Sequence, residues 1–124
     1  MNLNQVTIVS TNVLKTLQFY QQLGLVKIVD SLPRYVRLEC PNGQSTLSIQ
    51  HADAVQPSEA ITLYFEVTDV SKTVALLSEK GINPIEAPEA KRWLWVEALY
   101  HDPNGHAVII YHAGVHRKNP PWRV

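Results

Sequence analysis

The stretch HDPNGHAVIIYH at residues 101–112 sets three histidines and an aspartate about a tight turn, and imidazole and carboxylate are groups that ligate divalent metals. Their spacing argues against convergence. His101 and His106 flank the turn, and His112 lies an odd number of residues from Ile109 and Tyr111, so on an ideal strand it points to the opposite face. Asp102 is a turn-forming type whose carboxylate bonds nearby backbone N–H groups, and His51 and His116 are no better placed to complete a site. Glu66, in LYFEVTDV, is the carboxylate suited to acid/base work: in a partly apolar pocket desolvation would raise its pKa toward that of a proton-abstracting base. Its alternative is a hydrated rim position paired with Arg34, Arg37 or Arg92. In RWLWVEALY, Trp93, Trp95 and Glu97 alternate onto one face of an expected strand, as an aromatic wall with a second carboxylate, or as core or interface residues. Trp122 follows two prolines, which suits a tail that clasps the partner module or a second subunit.

These residues are positioned by a chain that repeats itself. Residues 6–25, VTIVSTNVLKTLQFYQQLGL, lie over 63–82, LYFEVTDVSKTVALLSEKGI, at a shift of 57. Each copy begins with a β-rich run, passes through residues that cap helices, and continues with apolar side chains at helical spacing: Val13, Leu17 and Tyr20, then Val70, Val74 and Leu77. Gly24 and Gly81 follow as left-handed C-caps. Downstream, PNGQSTLSIQHA (41–52) lies over PNGHAVIIYHAG (103–114) at a shift of 62, an Asn-Gly turn feeding a strand in both copies. The difference places about five extra loop residues in the proline-bearing NPIEAPEAKR. With LVKIVD and YVRLEC between helix and turn in the first copy, and WLWVEALYH in the second, each half reads βαβββ. Such a unit packs its helix on one face of a small sheet and leaves the other face to be covered.

Composition bounds what this can serve. The 124 residues suffice for a single core, read as one domain with module one at about 1–56, module two at about 57–115 and a tail at 116–124. Eleven basic side chains balance eleven acidic ones, so no charged face draws nucleic acid. The N-terminal MNLNQVTIVST lacks the order of a signal peptide, and Cys40, the one cysteine, reads as a small core residue; both suit a cytoplasmic protein. No apolar run approaches the roughly 18 residues that span a bilayer, so no membrane partner is expected.

The stretches QVTIVSTNVLKTLQFYQQLGL, LYFEVTDV and HDPNGHAVIIY resemble the strand, the helix with its Phe-Tyr and Leu-Gly signature, and the Asp-Pro-x-Gly turn of the vicinal oxygen chelate superfamily, the glyoxalase, bleomycin-resistance and extradiol-dioxygenase fold. The resemblance spans nearly the whole chain. It implies an α+β fold of two βαβββ modules in tandem, forming a curved mixed sheet around a U-shaped cavity. It also implies a metal in metal-dependent members, held by one ligand on the first and one on the last strand of each module, with an open position for two substrate oxygens. Those positions fall here on Gln5, Thr62, Ile109 and either Leu47 or Ser48, the register being ambiguous by one residue. Gln5 alone is a credible ligand, through its amide oxygen; threonine is a poor one and isoleucine none.

The resemblance therefore implies a metal-free small-molecule binder, with Gln5, Thr7, Val9, Ser48, Gln50, Thr62, Tyr64, Glu66, Trp93, Trp95, Glu97, Ile109 and Tyr111 toward the cavity. The alternatives are a lyase or dioxygenase using a divalent metal with Gln5 as residual ligand, or a metal-independent enzyme using Glu66 as base. No cofactor and a homodimer are expected.

Overall fold

A computed structural model describes residues 1–57 and 59–124. Two helices organise it, each started and stopped by local chemistry. In α1, Val13–Gln22, the Asn12 side chain accepts from the Lys15 N–H; in α2, Val70–Glu79, the Asp69 side chain accepts from the Lys72 N–H, satisfying a donor that the first helical turn leaves unpaired. Both end alike. The N–H groups of Gly24 and Leu25 bond to the carbonyls of Gln21 and Tyr20, and those of Gly81 and Ile82 to Ser78 and Leu77, with both glycines at positive φ. This double bond pattern closes a helix through a left-handed residue, which glycine adopts without a Cβ penalty.

The strands are β1 (Gln5–Ser10), β2 (Val26–Ser31), β3 (Tyr35–Glu39), β4 (Thr46–His51), β5 (Thr62–Glu66), β6 (Glu86–Ala90), β7 (Val96–His101) and β8 (Ala107–His112). They form two four-stranded mixed sheets of identical order, β1-β4-β3-β2 and β5-β8-β7-β6, in which the first strand runs parallel to the last and the other pairs are antiparallel. The fold is α+β, two βαβββ modules in tandem. It divides into two compact units: residues 1–57 with 102–104, and residues 59–101 with 105–124.

Strand alternation decides what each helix covers. In the first unit Ile8, Val36, Leu38, Leu47 and Ile49 are buried with Val13, Leu17 and Tyr20 of α1. In the second, Ala98, Tyr100, Val108 and Ile110 are buried with Val70 and Leu77 of α2, and Val74 is only half-buried. Each fully buried aliphatic side chain contributes on the order of 2 kcal/mol by leaving water. Cys40 is half-buried rather than a core residue, and desolvation raises its thiol pKa.

Three expectations need correction. The segment 83–92 is not merely a loop: Glu86–Ala90 forms β6, with a register shift between Glu86 and Glu89. A proline is tolerated there because β6 lies at the sheet edge, where no outer neighbour needs its missing N–H. Trp93 and Trp95 do not lie on a strand, because β7 starts at Val96. They sit in a turn closed by Lys91 N–H to the Trp95 carbonyl, with Leu94 at φ 69°, and this left-handed residue interrupts the period-two alternation. The strand repeat, finally, is offset by 61 rather than 62, because Gln5 pairs with Thr46 as Thr62 pairs with Ala107. Two residues separate Gly43 from β4 but only one separates Gly105 from β8.

A buried polar network runs through the first unit. The Tyr20 hydroxyl, on a fully buried ring, donates to Asp102 Oδ2 at 2.7 Å, while Asp102 Oδ1 accepts from the Asn104 N–H at 2.9 Å. The Asn104 amide donates to Thr16 Oγ1, which shares a hydrogen bond with Ser10 Oγ, and that oxygen also accepts the Asn12 N–H. Asp102 is thus a turn former, as its type suggested, and also the acceptor for a core tyrosine. Burial, and then the carboxylate, push the Tyr20 phenol above the ordinary tyrosine range. Tyr20→Phe removes the donor while Asp102 stays buried, and should lower unfolding free energy by about 1–3 kcal/mol. The shift in urea midpoint measures it; Leu14→Ala, at an exposed helix position, should stay within about 0.5 kcal/mol.

Candidate functional site

On the sheet face opposite each helix Gln5, Thr7, Val9 and Tyr64 are exposed, whereas Ser48, Glu97 and Tyr111 are buried. In the first unit, β1 contributes Gln5, Thr7 and Val9; their partners on β4 are Thr46, Ser48 and Gln50, and Ser48 and Gln50 in turn pair with Arg37 and Tyr35 on β3. Pairing settles the ambiguous position: Leu47 is opposite Val6 on the helix side, so Ser48 shares the open face with Gln5, as the counterpart of Ile109. Gln5 Nε2 donates to Ser48 Oγ at 2.8 Å and more distantly to Thr7 Oγ1, while the Thr46 hydroxyl donates to Gln5 Oε1. Ser48 Oγ also lies 2.7 Å from the Tyr35 hydroxyl, which accepts from Arg37 Nε at 3.0 Å. The hydrogen bond from Ser48 is the largest effect on the Tyr35 phenol; with the smaller help of Arg37 it outweighs burial, which opposes it, and holds the group below the usual tyrosine range. Sequence reasoning named neither Tyr35 nor Arg37 as a site residue. The signal was available: they fall two apart on an expected strand next to the one bearing Ser48.

The second unit's open face is aromatic. Thr62, Tyr64 and Glu66 on β5 lie beside Ala107, Ile109 and Tyr111 on β8, with Leu99 beyond Ile109 and Glu97 beyond Tyr111. Tyr64 meets Tyr111 edge-on at 5.4 Å and Trp95 edge-on at 5.9 Å, while the rings of Trp95 and Tyr111 are 4.9 Å apart. Trp95 thus reaches the expected wall from a turn rather than from a strand. Trp93 Nε1 donates to Glu97 Oε1 at 3.0 Å. Desolvation first, then the negative charge of Glu97 for Tyr64 and of Glu66 for Tyr111, raises both phenols.

Glu66 is committed to bracing. Its Oε2 accepts the backbone N–H groups of Ala113 and Gly114 at 2.8 and 3.0 Å, and Oε1 lies 3.8 Å from Arg117 Nε, which corrects the expected partners Arg34, Arg37 and Arg92. A 3-10 turn, Gly114–Arg117, begins at these residues. Trp122, beyond it, is 56% exposed.

The histidines do not assemble. Among the described residues no three His, Cys, Asp or Glu side chains approach closely enough to hold a metal, and the His112 Nδ1–H donates to the Val67 carbonyl. The donor set at the positions where the resemblance implies a metal does not fit one. Both amide atoms of Gln5 are engaged within its own sheet, Ser48 Oγ is shared among three side chains, and Ile109 has no donor atom.

Two helix-backed mixed sheets in tandem define the class of fold. The sequence profile of the Glyoxalase/Bleomycin resistance protein/Dioxygenase superfamily matches residues 2–110, and the chain belongs to that superfamily. Solved structures share the fold. An integron cassette protein from the mobile metagenome of the Halifax Harbour sewage outfall is 25% identical, with TM-score 0.77 over 90% of this chain and 97% of its own. A bleomycin-binding protein complexed with bleomycin is 19% identical, with TM-score 0.72 over 90% and 98%. Lactoylglutathione lyase from Agrobacterium tumefaciens is 17% identical, with TM-score 0.74 over 90% and 92%. No curated protein sequence matches.

The bracing role of Glu66 has a measurable consequence. Glu66→Ala should cost about 1 kcal/mol, discounted because the side chain is about one-third exposed, and should speed amide exchange at Ala113 and Gly114; Glu66→Gln, which keeps an acceptor, should cost less. Unchanged exchange at both amides in Glu66→Ala would contradict the assignment.

Proposed function

We propose that this protein binds a small organic molecule on an open sheet face, with no catalytic metal in the superfamily's ligand positions. The observation that carries the reading is the engagement of Gln5: its amide oxygen accepts from Thr46 and its nitrogen donates to Ser48, while the position across from Tyr64 is Ile109. A metal reaching the second lone pair of Gln5 Oε1 would still lack further ligands, since Ile109 has no donor atom and Thr62 is a poor one. The wall of Tyr64, Trp95 and Tyr111, with Thr62, Glu66 and Glu97 beside it, has the mix of apolar area and few polar groups that suits a small-molecule site. A bleomycin-bound structure of the same fold supports binding, rather than turnover, as the use of that surface. Glu66 does not favour base chemistry, because the hydrogen bonds to Ala113 and Gly114 occupy Oε2.

The proposal extends to a cytoplasmic homodimer. Exposed Val115 and Trp122 supply apolar area for a second copy, and the lone Cys40 suits a reducing compartment. Light scattering should return twice the chain mass.

Metal titration of chelator-stripped protein tests the central claim. A specific metal at 100 times its dissociation constant would add about 2.7 kcal/mol. We expect zinc, nickel and manganese instead to leave the unfolding midpoint unmoved, with no difference between wild type and Gln5→Ala. One equivalent of tightly held metal, lost in Gln5→Ala, would overturn the reading. A fluorescence screen of small aromatic compounds should give hits whose quenching falls in Trp95→Phe.

A further inference from the structure

We propose that the open face of the first unit carries a carboxylate-binding site made by Arg37 and Tyr35, so that the molecule taken up is an organic acid. The inference rests on the small-molecule reading above and names its ligand class. It follows from a count of donors and acceptors. Gln5 Nε2 at 2.8 Å and Arg37 Nε at 3.4 Å can only donate to Ser48 Oγ, and Ser48 is fully buried, so among its partners the Tyr35 oxygen 2.7 Å away is the acceptor for its hydrogen. That phenol oxygen then accepts from Ser48 and from Arg37 Nε at 3.0 Å, which fills both lone pairs and leaves its O–H hydrogen to point outward. The hydrogen bonds therefore have a direction, from Gln5 through Ser48 to Tyr35, and they end on a donor with no acceptor among the described residues.

Arg37 is in the same condition. With Nε turned to Tyr35 and Ser48, the guanidinium presents its two terminal nitrogens, the edge that takes a carboxylate by two parallel hydrogen bonds. Lys27–Asp30, His51–Asp53, Lys91–Glu89 and Arg117–Glu66 form ion pairs; among the described residues none is formed by Arg37, and Glu39, two residues along the same strand, makes none with it. Arg37 is exposed and Tyr35 half-buried, its ring 5.8 Å from the guanidinium carbon, so the charge is held in place yet accessible. A cation fixed by side-chain hydrogen bonds beside an outward phenol proton is a set of three donors for one planar anion.

Calorimetric titration of the full chain at pH 7.5 and low salt, with benzoate, benzamide and inorganic phosphate as probes, tests the assignment. Benzoate should bind at one equivalent and weaken with added salt, benzamide should not bind detectably, and phosphate should bind more weakly than benzoate. Loss of charged hydrogen bonds in Arg37→Gln should weaken benzoate about tenfold or more, Arg37→Lys should fall between it and wild type, and Tyr35→Phe should weaken it several-fold. Arg37 is exposed, so equal unfolding midpoints should confirm that these variants fold. The proposal is overturned if benzoate does not bind, if it binds Arg37→Gln as well as wild type, if benzamide equals it, or if phosphate is preferred. Benzoate bound by Arg37→Gln as tightly as by wild type, beside aromatic compounds whose quenching falls in Trp95→Phe, would overturn this inference and leave small-molecule binding standing. Stoichiometric metal binding through Gln5 would overturn the metal-free reading while leaving an Arg37-dependent benzoate site intact.

Discussion

Parallel pairing of the first strand with the last, Gln5 beside Thr46 and Thr62 beside Ala107, is the constraint on which the rest of each module depends. Parallel neighbours cannot be joined by a hairpin, so the chain must leave the sheet and return, and the crossover here includes a helix. That helix seals one face with Tyr20 and Leu17, or with Leu77 and Val70, and the alternation of the strands then dictates which side chains remain on the other. A slip of one residue in this pairing would exchange Leu47 for Ser48 and dismantle core and open face together.

The same pairing bears on the chemistry. Because Gln5 and Thr46 are partners across the parallel ladder, and Thr7 and Ser48 are the next pair on that face, the amide that would serve a metal is satisfied by hydroxyls instead. In the second unit the corresponding places hold Thr62, Ala107, Tyr64 and Ile109, and the face is filled by aromatic contacts. One repeated scaffold thus presents two different surfaces, a hydrogen-bonded one ending on Arg37 and Tyr35, and an apolar one centred on Tyr111. The divergence costs the fold little, since the helix-facing residues that hold each sheet together alternate with those that changed.

Much of this was legible in the residues. Asn12 and Asp69 announce helix starts because a short polar side chain can reach back to a backbone N–H, and Gly24 and Gly81 announce the ends because they tolerate positive φ. The faces of β1, β5 and β8 followed from period two, while β4 stayed open between Leu47 and Ser48. Local rules failed where non-local effects decide. Glu-Ala-Pro-Glu-Ala has poor strand propensity and pairs as β6 only because β7 offers an edge. Leu94 takes a left-handed conformation that leucine disfavours, which removed Trp93 and Trp95 from the strand. The offset of 61 depends on one residue between Gly43 and β4 that the matched Pro-Asn-Gly motifs conceal.

By itself, then, the sequence determined the repeated βαβββ order, the helix limits, the faces of β1, β5 and β8 and the absence of a ligating side chain at Ile109, all of which depend on local conformation or residue identity. Tertiary structure decided what those side chains do. It joined Tyr20 to Asp102 across 82 residues, tied Glu66 to Ala113 and Gly114, and ordered Gln5, Ser48, Tyr35 and Arg37 into one directed network. Hydrogen bonds are satisfied in space and not along the chain, so no spacing rule could have said which donors would be used up and which would be left for a ligand.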